Sequence, residues 1–288
     1  MPLFRKRWHR RVFGYSVIYA VLLMLIFGCS DRLMLFPSHD PMEIAGQSRI
    51  EVPGPAGKIE IWTDRPVAAA KVEPRAFVLA FVGNASRAEY EAEDTAGQWE
   101  GLPVEVWGVN YPGYGGSEGA ALLKNFGPAA LAAYDALSKH AAGRPIFVSG
   151  NSIGTTASLY VAAHRQVAGL VLKNPPPLRQ LILGRHGWWN LWLIAGPVAL
   201  HIPGELDSVA NAKNVKAKTI FLLASEDEVI PPAYHQKVVD ALAGPKTVID
   251  LPGAHHNTEV SGAALVQLRA QIRDLWARAG LGEIDAAK

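Results

Sequence analysis

The chain has 288 residues, 49% of them hydrophobic and 19% charged, a balance that excludes a disordered segment and fits one large domain behind a leader. Five of its 28 basic residues (Arg5, Lys6, Arg7, Arg10 and Arg11) stand at the start, and the remaining 23 face 26 acidic residues, which excludes a basic nucleic-acid-binding surface. The single cysteine, Cys29, excludes an internal disulfide, so the fold has to rest on its core.

Val12 to Gly28 carries no charge and follows the basic run directly. That order is expected of a secretory signal or signal anchor with its basic end kept in the cytoplasm. The stretch is near the lower limit for a membrane span of about 20 residues. Leu25-Ile26-Phe27-Gly28-Cys29 also resembles a bacterial lipobox, in which the cysteine after the cleavage site is lipidated. Lipidation of Cys29 and an uncleaved anchor are the two outcomes. Both attach the body to a membrane on its periplasmic or extracytoplasmic side. Residues 30–48 read as a linker, 49–280 as the folded domain and 281–288 as a tail.

Strand candidates follow at intervals: Arg49–Val52, Lys58–Asp64, Ala76–Val82, Pro103–Val109, Pro145–Val148, Val167–Leu172, Thr219–Ala224 and Thr247–Leu251. The first two flank a Pro-Gly turn and read as an antiparallel pair. Continuous apolar runs such as Ala76–Val82 suit strands covered on both faces. Helices are expected over Ala88–Trp99, Ala129–Ala142, Thr155–Arg165, Pro232–Leu242 and Ala263–Ala279. Strands alternating with helices predict an α/β fold with a mostly parallel sheet of eight strands. Leu178 to about Ala212 breaks the rhythm with Trp188, Trp189, Trp192 and Gly196-Pro197. It reads as a short apolar lid lining a substrate pocket for acyl or lipid-like groups, or as a crossover helix with core tryptophans.

Gly150-Asn151-Ser152-Ile153-Gly154 lies between a strand and a helix, the setting of a nucleophile elbow. A serine at the tip of such a turn has strained backbone angles, and its neighbours two positions away have to be nearly free of side chain. The helix start directs the Ile153 N–H toward an oxyanion forming at Ser152. A serine nucleophile needs a base, and the base an orienting acid, carried by loops after later strands. Asp227 follows strand Thr219–Ala224, and His255 and His256 follow strand Thr247–Leu251, in the order Ser, Asp, His. Both histidines are candidate bases. The other seven histidines, His235 among them, have no comparable placement. No metal-ligand spacing is present, so neither metal nor cofactor is expected. Val82-Gly83-Asn84-Ala85 follows strand Ala76–Val82, and the Asn84 N–H is expected to be the second oxyanion donor beside that of Ile153.

With these segments the chain resembles the α/β-hydrolase superfamily, in particular its branch of membrane-associated serine hydrolases and protein depalmitoylases. Val82-Gly83-Asn84-Ala85 is similar to that branch's His-Gly-Asn-Ala segment, with Val82 in the place of the histidine. Asn110-Tyr111-Pro112-Gly113-Tyr114-Gly115-Gly116-Ser117-Glu118-Gly119 is similar to its Tyr-x-Gly-Tyr-Gly-x-Ser-x-Gly loop. Gly253-Ala254-His255-His256-Asn257 is similar to Gly-Ala-Gly-His-Asn, which puts His256 in the place of the catalytic histidine and His255 in that of a glycine. The resemblance implies an α/β-hydrolase fold and does not itself assign a substrate; the expected reaction is hydrolysis of a carboxylic ester or thioester, from a small acyl molecule or an acylated protein, by a monomer. A catalytically silent lipid-binding or envelope-assembly lipoprotein and an acyltransferase are the rival expectations.

Overall fold

Eight apolar runs become eight strands of one sheet. The computed structural model describes residues 2–40, 42, 44–190 and 192–282, and side chains at 2–7, 9, 10, 26–29 and 190 also lie outside the described residues. The strands are β1 (Ser48–Gly54), β2 (Gly57–Asp64), β3 (Ala76–Phe81), β4 (Val104–Val109), β5 (Ile146–Asn151), β6 (Gly169–Lys173), β7 (Thr219–Ala224) and β8 (Lys246–Leu251). Their spatial order is β1-β2-β4-β3-β5-β6-β7-β8. β2 is antiparallel to both its neighbours, and every other pairing is parallel.

The order has a functional consequence. From β3 the chain moves outward to β4, then returns to lay β5 on the other side of β3. This reversal is a topological switch point, where loops at the carboxyl ends of adjacent strands diverge and leave a crevice. The register Phe81↔Gly150 brings the loop after β3 alongside the turn after β5.

Helices cover both faces. α3 (Leu123–Ala141), α4 (Gly154–His164), α7 (Ser208–Ala212) and α8 (Pro232–Ala241) pack on one; α2 (Ala88–Gln98) and α9 (Gly262–Arg278) pack on the other. Side chains of β3 alternate between the two cores: Phe77, Leu79 and Phe81 on the first, Ala76, Val78 and Ala80 on the second. All six are fully buried. That is why β3 reads as an unbroken apolar run instead of an alternating one. α3 begins at Leu123, ahead of the expected Ala129, because Pro128 is tolerated inside the helix. Its ring leaves that turn without one backbone N–H donor and crowds the carbonyl four residues before it.

The 178–212 segment is a chain of short helices: α5 (Leu178–His186), a 3₁₀ turn (Trp188–Asn190), α6 (Ala195–His201), a second 3₁₀ turn (Gly204–Leu206) and α7. Trp188, Trp189 and Trp192 are each more than half exposed, so they are not core tryptophans of a crossover helix.

α1 (Pro2–Met34) is one helix through the basic run and the apolar stretch, and it continues into the expected linker. It leans on α6, and the Tyr19 hydroxyl donates to Leu193 O at 3.1 Å. Among the described residues no helix is long and apolar enough to cross a membrane. The side chain of Cys29 lies outside the described residues.

Candidate active site

Ser152 is at the carboxyl end of β5 with φ of 51°, in the left-handed region that a non-glycine residue rarely occupies. The strain is held from both sides. Ser152 N donates to Lys173 O at 2.9 Å on β6, and Thr155 N donates to Ser152 O at 3.0 Å as α4 starts. The glycines are required by close approach. A Cβ on Gly154 would lie 2.2 Å from Phe81 O, and one on Gly150 2.3 Å from Ser158 Oγ. Ile153 has helical angles (φ −56°, ψ −28°), so its N–H is among the first-turn donors that no helical carbonyl claims.

His256 and Asp227 meet this serine. His256 Nε2 lies 3.0 Å from Ser152 Oγ, and His256 Nδ1 lies 2.7 Å from Asp227 Oδ2. The two bonds fix the tautomer: Nδ1–H donates to the carboxylate, and bare Nε2 faces the serine hydroxyl. His256 and Asp227 are both buried. His255, the other candidate base, has a side chain 63% exposed, with Nδ1 3.2 Å from Glu228 Oε2 and no bond to Ser152 or Asp227. The two stand in a turn closed by Thr258 N donating to His255 O at 3.1 Å, and their side chains go to different partners.

Asp227 is over-supplied with donors. Its Oδ1 accepts the N–H groups of Val229 (2.9 Å) and Ile230 (2.7 Å). Its Oδ2 also faces His235 Nε2 at 3.1 Å. Burial alone would raise its pKa. The hydrogen bonds from His235, His256 and the Ile230 N–H outweigh burial and hold the carboxyl well below the usual range, so Asp227 stays ionised.

The sequence sets His235 aside with six other histidines and gives Asn174 no role, yet the structure bonds His235 to Asp227 and Asn174 to the His256 loop. His235 sits in the first turns of α8, fully buried, with Nδ1 3.3 Å from Pro175 O. Its signal is the Pro231-Pro232 helix start, which turns a side chain one turn in back toward the strand end. Asn174 follows β6 with φ of 51°. Its amide donates to His256 O at 3.0 Å and accepts from Ala224 N at 2.9 Å, tying the histidine loop to the end of β7.

The loop after β3 lies against the elbow, where a Cβ on Gly83 would be 3.5 Å from Asn151 O and 3.8 Å from Ser152 Cβ. Asn84 follows Gly83 in this loop, with its side chain bonded to Met34 O, Phe36 N and Tyr114 Oη. α5 is tied to the acid loop by Arg185, whose Nη1 donates to Glu228 O (2.7 Å) and Val229 O (2.8 Å). Among the described residues no group of three or more His, Cys, Asp or Glu side chains is placed to hold a metal ion.

No protein-family model matches the chain. It is 26% identical over 280 residues to the uncharacterized protein Rv2307c of Mycobacterium tuberculosis, which spans 93% of this chain and 95% of that one. It is 27% identical over 210 residues to the alpha/beta hydrolase domain-containing protein WAV2 of Arabidopsis thaliana, 64% of this chain and 65% of the relative. Among solved structures, an esterase from Pyrococcus furiosus superposes with a TM-score of 0.66 at 12% identity, over 85% of this chain and 97% of the other. At that identity the likeness is one of fold.

Proposed function

We propose that the chain, which has the α/β-hydrolase fold and is similar to alpha/beta hydrolase domain-containing relatives, is a serine hydrolase that cleaves a carboxylic ester or thioester through an acyl-enzyme. The observation that carries this reading is the continuous chain from Ser152 Oγ to His256 Nε2 (3.0 Å) and from His256 Nδ1 to Asp227 Oδ2 (2.7 Å), with the serine on a left-handed backbone.

The chemistry follows from the bonds. Ser152 Oγ attacks the acyl carbonyl as His256 Nε2 takes its proton. Asp227 holds the imidazole and stabilises the imidazolium. The Asn84 and Ile153 N–H groups receive the tetrahedral oxyanion. The imidazolium then protonates the leaving alcohol or thiol as the carbon–oxygen or carbon–sulfur bond breaks. Water then attacks the acyl carbon as His256 takes its proton, and the imidazolium gives that proton to Ser152 Oγ as the acyl–Oγ bond breaks and the carboxylic acid leaves.

The proposal includes a membrane setting on the extracytoplasmic side, as the basic run and uncharged stretch of α1 suggest. The exposed Trp188, Trp189, Trp192, Leu193 and Leu200 of the lid, beside exposed Phe13, Ile18, Met24 and Leu25 of α1, support an apolar environment there. Hydrolysis of p-nitrophenyl and thioester substrates across a range of chain lengths, with Ser152→Ala as the blank, tests the catalytic part. Palmitate labelling that is absent while Cys29 is intact would remove the lipidated form of the tether.

A further inference from the structure

The expected role of Asn84 uses only its backbone, yet its side chain is fully engaged. Oδ1 accepts from Phe36 N (2.9 Å), Tyr114 Oη (2.9 Å) and Ala85 N (3.2 Å), and Nδ2 donates to Met34 O (2.7 Å). Two of these partners are backbone groups of the segment where α1 ends. That segment is itself fastened. Ser30 and Leu35 are buried. Asp31 Oδ1 accepts the Leu123 N–H at the start of α3 (2.9 Å), and Asp31 Oδ2 lies 3.2 Å from His201 Nε2 on α6. Ala85, next to Asn84, has φ of 57°, a backbone strain that persists only where the surroundings over-determine it.

We propose that Asn84 is a positioning residue. Through its side chain, residues 31–36 act as a strap that sets the donor-bearing loop after β3 against Ser152. The start of the linker is thus part of the active site's support and not only a connection to the leader. The inference rests on the serine-hydrolase reading, because a loop without an oxyanion to receive would have nothing to position. A residue at the middle of the strap network holds the loop's backbone at its working distance, and a displacement of about 1 Å in such a group costs on the order of 10²-fold in rate.

The test compares the full chain with Asn84→Ala and Tyr114→Phe on a short soluble ester. Active sites are counted by stoichiometric fluorophosphonate labelling and folding is followed by melting temperature. For Asn84→Ala the expected result is a fall in kcat per labelled site of about 10²-fold with KM within about twofold. Tyr114→Phe removes one bond of four and is expected to lower kcat by about threefold to tenfold without unfolding the chain. It therefore decides the matter if Asn84→Ala does not fold. Wild-type kcat per labelled site in both variants, or in Tyr114→Phe when only that variant folds, would overturn the strap and leave the hydrolase reading intact. Ester turnover in the wild type that survives in Ser152→Ala would overturn the hydrolase reading, and the strap with it.

Discussion

Asp227 and Glu91 are both buried carboxylates close to the elbow, and their surroundings drive them in opposite directions. Asp227, at the carboxyl end of β7, receives two backbone N–H groups and two imidazoles and stays charged. Glu91, on α2, lines a cavity of about 10 Å³ with Asp94, Gln98, Ser149, Gly150, Asn151 and Lys173, room for one water. Burial, reinforced by the charge of Asp94 and only partly opposed by Lys173, pushes Glu91 up to about 8. Desolvation is common to both, and the supply of donors decides the outcome. One carboxylate is built to remain an anion that orients a base. The other is a neutral acid through most of the physiological range.

The largest expected effect is on the first of the pair. Asp227→Asn keeps the shape but no longer selects the tautomer, and kcat is expected to fall about 10⁴-fold, with a lower melting temperature at neutral pH because the charged carboxylate's contribution is lost. Equal losses from Asp227→Asn and Glu91→Gln would break the comparison, because Glu91→Gln is expected to keep kcat within about twofold.

Glu91→Gln should instead change stability. The folded chain holds a proton on Glu91 that the unfolded chain releases above its ordinary value of 4.5, so wild-type stability falls as pH rises from 4.5 to about 8. The substitution is expected to flatten that decline and to stabilise by at most about 5 kcal/mol above pH 8, read by denaturant melts across pH. Asp227 has the reverse sign. Its folded pKa is depressed, so its contribution is present above the ordinary carboxylate value of 3.8 and is lost as pH falls below it.

His235→Phe sharpens the same point. With one donor fewer, Asp227 becomes a stronger acceptor for the His256 imidazolium. The acid limb of the kcat/KM profile is expected to move to higher pH by about half a unit. An unmoved limb would reduce His235 to packing.

The smallest effect belongs to the 178–212 segment. Trp188→Ser with Trp189→Ser removes exposed side chains, so folding stability should stay within about 0.5 kcal/mol. KM for long-chain esters is expected to rise while KM for acetate esters stays constant.

The legible parts of the chain are those where one local pattern had one structural meaning. Doubly covered strands read as apolar runs, Ser152 and Asp227 followed two of them, and a histidine pair followed the edge strand β8. The choice between His255 and His256 needed the fold, since both stand on one loop and only the path of the chain decides which faces Ser152. Glu91 was hidden because α2 inverts the amphipathic rule: Tyr90 is exposed while Glu89 and Glu91 are buried. His235 was hidden because its partner is eight residues away on a different element. The length of α1 was hidden because Asp31 and Arg32 read as the exit from an apolar stretch. Asp31 instead reaches the start of α3 and lies beside His201 of α6, so the helix runs on to Met34.

The central claim is that Ser152 forms a covalent acyl intermediate with the help of His256. Mass spectrometry of the intact chain and of its tryptic peptides after reaction with a fluorophosphonate tests it directly. The expected result is one adduct per chain on the peptide containing Ser152, lost in Ser152→Ala and slowed at least 10³-fold in His256→Ala. An adduct on another residue, or undiminished labelling in Ser152→Ala, would contradict the account.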